Sequence, residues 1–317
     1  MNLQTKITLQ KQAYNHIDYN SNVLLFGSCF SENIGNKFNY FKFQSNINPF
    51  GILFHPLAIE TLITRAINKT YYAEDDLFFQ NEQWCCLDVH SKFNTTSKTE
   101  LLKALNSQID KTYDALHKTT HIFVTLGTSW VYRHIATDAI VANCHKLPQK
   151  QFLKELLSVE DSTAALEAII TLVRGINADV NFVFTLSPLR HIKDGFVDNA
   201  RSKAHLLTAI HHVVDIRNGL YYFPSYEIMM DELRDYRFYN EDMLHPSPTA
   251  IDYIWNKFEA TWLSEDAQKT LQTVTSIQSK KAHRPFNSDS KAHQDFLNKL
   301  NLEIKDLKLR HPHICFS

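Results

Sequence analysis

Three apolar runs constrain this chain more than anything else in it: Asn22–Gly27 (NVLLFG), His121–Leu126 (HIFVTL, then Gly127) and Asn181–Leu186 (NFVFTL, then Ser187-Pro188). Each is apolar at consecutive rather than alternate positions, the pattern of a strand covered on both faces. Each also stops at residues suited to a sharp turn. Stretches with helical spacing separate them. Phe30–Tyr40 and Leu57–Asn68 follow the first run, and Ser97 with Glu100 makes a capping-box signature ahead of Leu101, Leu105, Ile109, Tyr113 and Leu116. Leu166, Ile169, Ile170 and Val173 mark a further helix stopped at Gly175, and Ser202–Arg217 another; Leu220–Phe223 reads as a short strand and Pro248–Leu263 as the last core helix. Strands alternating with helices predict an α/β fold, a three-layer α/β/α sandwich around a central parallel sheet.

The organisation follows from where that alternation starts and stops. Residues 1–21 read as an irregular lead-in, 22–263 as the domain, and 264–317 as a polar linker plus a C-terminal helix carrying Phe296, Leu297, Leu300, Ile304 and Leu307 on one face. Within the domain, residues 71–93 alternate aromatic and acidic side chains around Gln80-Asn81-Glu82 and read as a hairpin or cap excursion; a short strand at Ala139–Ala142 delivers Asn143 to a loop. Lys plus Arg (33) and Asp plus Glu (34) nearly cancel, so net charge steers the chain toward neither nucleic acid nor an anionic membrane. The five cysteines, two of them adjacent at Cys85 and Cys86, form no disulfide framework and no metal-binding spacing. Sixteen histidines include no His-Glu-x-x-His pattern. The expectation is a cytoplasmic protein without cofactor or catalytic metal, with no nucleic-acid or membrane partner and an oligomeric state left open.

Ser28 stands where the first strand ends, on rigid backbone in the zone where open α/β sheets bind ligands. It is a candidate nucleophile; capping the helix behind it is the plainer duty. Far along the chain lies Asp242-Met243-Leu244-His245. An Asp three residues before a His can turn its carboxylate to imidazole Nδ1 and leave Nε2 free to take a hydroxyl proton. Ser28, His245 and Asp242 then supply nucleophile, base and orienter, a set suited to acyl transfer. Cys29, beside Ser28, is expected to turn into the strand–helix junction.

The run Gly27-Ser28-Cys29-Phe30-Ser31 resembles the signature of the GSCFA family, which belongs with the SGNH (GDSL-like) hydrolases. Asn48-Pro49-Phe50-Gly51, Thr125–Trp130, Val141–Pro148, Ser187–His191 and Arg234–Tyr239 resemble the same family, so the likeness runs from about Val23 to Trp262. Two departures stand out. Ser31 replaces the signature's final Ala, and Gly127-Thr128-Ser129-Trp130 stands where SGNH enzymes usually carry Gly-x-Asn-Asp. The resemblance implies an SGNH fold and an ester hydrolase acting on a small acyl ester, with an acylated saccharide among the candidates. An O-acyltransferase of saccharides and a non-catalytic carbohydrate-binding or scaffold protein are the alternatives. An inactive descendant would place His245 beyond hydrogen-bond reach of Ser28. Candidate oxyanion donors are the Ser28 N–H, the Gly51 N–H that the resemblance suggests, and the Asn143 side chain, with Thr128 or Ser129 as substitutes. His145 with Lys146, and Arg190 with His191, are candidate substrate-binding groups at the strand ends.

Overall fold

The computed structural model describes residues 5–316, so the first four residues of the lead-in fall outside it. β1 (Asn22–Gly27) runs into α1 (Cys29–Tyr40), and β2 (Gln44–Ile47) pairs parallel to β1. After α2 (Pro56–Ile67) comes an antiparallel hairpin, β3 (Leu77–Gln80) and β4 (Gln83–Cys86), which turns at Asn81 and Glu82 with φ of 49° and 59°. This is the excursion expected at residues 71–93. α3 (Lys98–Lys118) then delivers β5 (His121–Leu126).

Beyond β5 the chain leaves the main sheet. β6 (Trp130–His134), β7 (Ala139–Val141) and β8 (Phe152–Leu156) form a separate antiparallel sheet in the order β7-β6-β8. α4 (Val159–Arg174) returns to β9 (Asn181–Leu186); α5 (Phe196–Val213), β10 (Leu220–Tyr222), the short α6 (Ser225–Glu227) and α7 (Pro248–Trp262) complete the domain, and α8 (Glu265–Ala282) and α9 (Lys291–Arg310) follow.

The main sheet has five parallel strands in the order β10-β9-β5-β1-β2. Consecutive residues of each strand face opposite layers, so Leu24, Phe26, Ile122 and Val124 pack with α2–α5 on one side. Val23, Leu25 and Phe123 pack on the other with α1, Trp255 and Phe258 of α7, and α8 and α9. The chain builds outward from β1 in both directions, through β2 on one side and through β5, β9 and β10 on the other. That makes the carboxyl ends of β1 and β5 the switch point, where sheets of this kind open a crevice.

Two expectations need correcting. β6 and β8 were not foreseen: they form a small sheet of mostly half-buried residues and lack the continuous apolar run that marks a core strand. α5 begins at Phe196 rather than Ser202, because its first turns carry the polar residues that grip the site. The polar stretch that reads as a loose helix and linker holds a packed helix, α8, which buries Ala267, Leu271, Val274 and Ile277 against the domain. α9 buries Leu300 and Leu307 in the same layer. The lead-in is irregular, yet Ile17 and Tyr19 are buried and Ile17 bridges to Leu263. Among the described residues no helix is long and apolar enough to cross a membrane.

Candidate active site

Strand register sets the site's rim. Gly27 lies beside Thr125, and Thr125 beside Thr185, so the turns after β1, β5 and β9 emerge together. Gly27 has φ of +137°, and a Cβ there would lie 2.1 Å from the Thr125 carbonyl oxygen. Only glycine makes this turn without strain. Its N–H donates to Asn48 Oδ1 at 2.9 Å, and the Ser28 N–H donates to the Thr125 carbonyl at 3.0 Å. Ser28 caps α1: its Oγ accepts from the Phe30 N–H at 3.3 Å, and the residue has 0% exposure.

Asp242 and His245 share one tight turn in which Met243 adopts φ of 58° and the Asn240 N–H donates to the His245 carbonyl at 2.8 Å. Asp242 Oδ1 accepts from the N–H groups of Leu244 and His245, both at 2.9 Å, while Oδ2 lies 2.5 Å from His245 Nδ1. Those backbone bonds first, and the imidazole after them, hold the carboxyl down at about 2. With Nδ1 donating to Asp242, Nε2 is the nitrogen left as proton acceptor, on a ring that is about half exposed. The Asp–His pair anticipated from sequence is therefore assembled. Among the described residues, no hydrogen bond joins Ser28 to His245.

His191 lies in the loop after β9 and Lys203 on α5. Burial first, then the charges of Lys203 and His245, push His191 down to about 4, which keeps this imidazole neutral at pH 7. His191 Nε2 would be 3.2 Å from a Cβ added to Gly127, which places the ring over the turn after β5, and that nitrogen is buried without a partner. Lys203 is 3% exposed; its Nζ donates to the Ser187 carbonyl at 2.7 Å, and burial lowers it to about 7 against the opposing effect of Cys29.

The helix face carrying Lys203 was missed in the sequence. Asn199, Ser202 and Lys203 lie on one side of α5 at helical spacing. Asn199 Oδ1 accepts from the His191 N–H (2.9 Å), and Ser202 Oγ accepts from the Ser129 N–H (2.8 Å) and lies 3.0 Å from Thr128 Oγ1. One helix turn thus fixes the loops after β5 and β9. The available signal was a polar patch on the face that continues as buried Leu206, Ala209 and Ile210.

The other candidates fall out unevenly. The Ser28 and Gly51 N–H groups are both engaged by backbone carbonyls, that of Gly51 by Asn48 at 2.8 Å. Gly51 is required for space instead, since a Cβ would meet His90 Cβ at 2.3 Å. The Gly127 and Thr128 N–H groups both donate to Phe54. Asn143 Oδ1 accepts from the His145 N–H at 2.8 Å, leaving its Nδ2 available. Asn48, quoted only as part of a motif, has a buried Nδ2 with no partner and an Oδ1 tied to Gly27.

His145 lines the smaller of the two clefts that flank the loop after β9 and also braces the fold. It is 6% exposed, and its Nε2 bonds the carbonyls of Cys86 (2.7 Å) and Val89 (3.2 Å), so the ring locks the β3–β4 hairpin.

Two clefts flank the loop after β9. One, of about 540 Å³, is lined by Arg190, Met230, Tyr236, Tyr239, Asp242 and Leu244; the other, of about 440 Å³, by Phe54, Thr128, Trp130, Asn143, Lys146 and Lys193. No three of His, Cys, Asp and Glu converge as a metal cage among the described residues.

The model of a family described as the GSCFA family matches residues 22–258, and that of a GSCFA domain protein, C-terminal domain, matches residues 274–317. A comparison with curated proteins finds no match.

Proposed function

Because this chain belongs to the GSCFA family, we propose that it is a serine hydrolase of the SGNH kind, acting on an acyl ester through Ser28, His245 and Asp242. The observation that carries the reading is the Asp242–His245 pair, closed at 2.5 Å, which leaves imidazole Nε2 free to take a proton. Ser28 Oγ attacks the acyl carbon as His245 Nε2 takes its proton; Asp242 holds the resulting imidazolium. His245 then gives that proton to the departing alcohol, and an acyl group remains on Ser28 until water or a sugar hydroxyl removes it. The Ser–His hydrogen bond forms when substrate fills the site, as catalytic bonds often tighten only in the substrate complex. With the nearby backbone N–H groups engaged, the oxyanion draws on side-chain donors, Asn48 Nδ2 beside Gly27 and Asn143 Nδ2. Five free cysteines fit a reducing compartment such as the cytoplasm.

Two other readings have observations of their own. The paired clefts give room for a separate acyl donor and acceptor, which favours transfer to a saccharide over hydrolysis. The sealed Ser28, bonded to the Phe30 N–H and not to His245, favours a non-catalytic carbohydrate-binding protein on the same fold. Turnover of p-nitrophenyl acetate separates them. The hydrolase reading expects steady turnover that Ser28→Ala abolishes, while losing the cap costs the fold only about 0.5–2 kcal/mol. A wild-type protein without turnover, or a Ser28→Ala protein that retains it, contradicts that reading.

A further inference from the structure

Arg190 is a cation of the site with no carboxylate partner among the described residues. It lines the 540 Å³ cleft together with Asp242. Its hydrogen bond is to Met230 Sδ at 3.1 Å, and among the described residues no carboxylate lies within ion-pair reach of it. The other charges of that cleft are matched: Arg234 with Asp231 (3.7 Å), Asp235 with Arg237 (3.1 Å) and Asp242 with His245 (2.5 Å). Lys203, also without a carboxylate, sits behind it, its Nζ 5.7 Å from the Tyr226 ring, and Tyr226 in turn feels the charge of Arg190. A half-buried guanidinium whose hydrogen bond is to a thioether sulfur is poorly compensated, and its planar fork matches a carboxylate in a bidentate pair. Met229, Met230 and Leu233 give the cleft an apolar floor, while Tyr236, 75% exposed, stands with Tyr239 at its edge, their ring centroids 6.4 Å apart. Such rings offer an apolar face with a polar tip, which suits a sugar.

We propose that this cleft is a recognition subsite for an O-acylated saccharide bearing a carboxylate, with Arg190 pairing to that carboxylate while the ester reaches His245 and Ser28. The proposal rests on reading Asp242 and His245 as the catalytic pair, and deepens that reading by naming a substrate class. A phosphate-bearing sugar shares the chemistry, but as a tetrahedral dianion it matches a lone guanidinium in this cleft less well than a planar carboxylate does.

The test is calorimetric binding to the full Ser28→Ala chain of three ligands: methyl O-acetyl-glucuronide, its neutral methyl ester, and the corresponding acetylated glucoside 6-phosphate. The acid binds about 10- to 100-fold tighter than the neutral ester, the range expected of a charged hydrogen-bonded pair. In Ser28→Ala/Arg190→Gln that gap closes. Arg190→Lys, which keeps the charge and loses the fork, restores only part of it. Equal affinity for acid and neutral ester, or a gap that survives Arg190→Gln, overturns the subsite; tighter binding of the phosphate overturns the carboxylate assignment. Labelling of wild-type Ser28 by an organophosphonate tests the hydrolase reading separately. A labelled enzyme without acid preference loses the subsite alone, whereas acid preference without labelling leaves the subsite and removes the hydrolase.

Discussion

Asp242 directs both carboxylate oxygens into its own turn, toward two backbone N–H groups and one imidazole, and has no other bonded partner among the described residues. Such a carboxylate stays ionised through the neutral range, and on the proposed reading it orients the base. Asp242→Asn therefore lowers kcat for p-nitrophenyl acetate by about 10²- to 10⁴-fold with KM little changed, because the wrong ring nitrogen is then protonated. Lys203 gives a stability prediction. Its folded-state pKa, about 7, lies below its ordinary value, so between those values the unfolded chain holds a proton that the folded protein lacks. Stability then rises with pH above 7. The clean window is pH 7 to about 8.5, below the range where the buried thiols Cys144 and Cys86, raised to about 11 and about 12, oppose it. Lys203→Met flattens that slope and raises Tm by about 2 °C or more at pH 7, read by calorimetry at several pH values. On the acid side, His55 and His191, both lowered to about 4, make stability fall as pH drops from 6.5. At this scale the sequence was informative where a contact depends on close spacing, as with Asp242 and His245. It was silent on Lys203 and Asn48, whose roles arise from partners far along the chain.

Each element shows what its neighbours demand. β5 and β9 have the bounds their apolar runs announced, since burial on both faces makes most of their positions apolar in succession and leaves a readable run. β6 and β8 carry mixed residues because their sheet is half covered, and so they leave no such mark. Gly27 is the tightest joint. Gly27→Ala drives a Cβ into the Thr125 carbonyl from a backbone angle that alanine avoids, and is expected to cost about 3 kcal/mol or more, read as a fall in denaturant midpoint. The loop after β9 is fastened to β8 by the Lys154–Asp194 pair at 2.5 Å, both side chains mostly buried. Asp194→Asn loosens that fastening, and amide exchange at residues 190–195 accelerates while β9 is unchanged.

Across the whole molecule, the sheet order could not be read from the chain. Apolar runs give strands but not which edge the second strand takes, and that choice is what puts the switch point at Ser28. The C-terminal helices were legible only in part, because a polar surface hides the buried stripe of α8. With Leu300 and Leu307 in the layer that also holds Leu271, Val274 and Ile277, removing residues 284–317 strips a face of the core. The truncated chain is expected to lose at least about 3 kcal/mol of stability and to associate through the exposed face, by denaturant titration and light scattering. The central claim, that two distant pieces of chain make one nucleophilic site, is tested most directly by mass spectrometry of the protein after exposure to an organophosphonate. The account predicts one adduct, on the peptide carrying Ser28, that is lost in His245→Ala; an unmodified Ser28, or an adduct indifferent to His245, contradicts it.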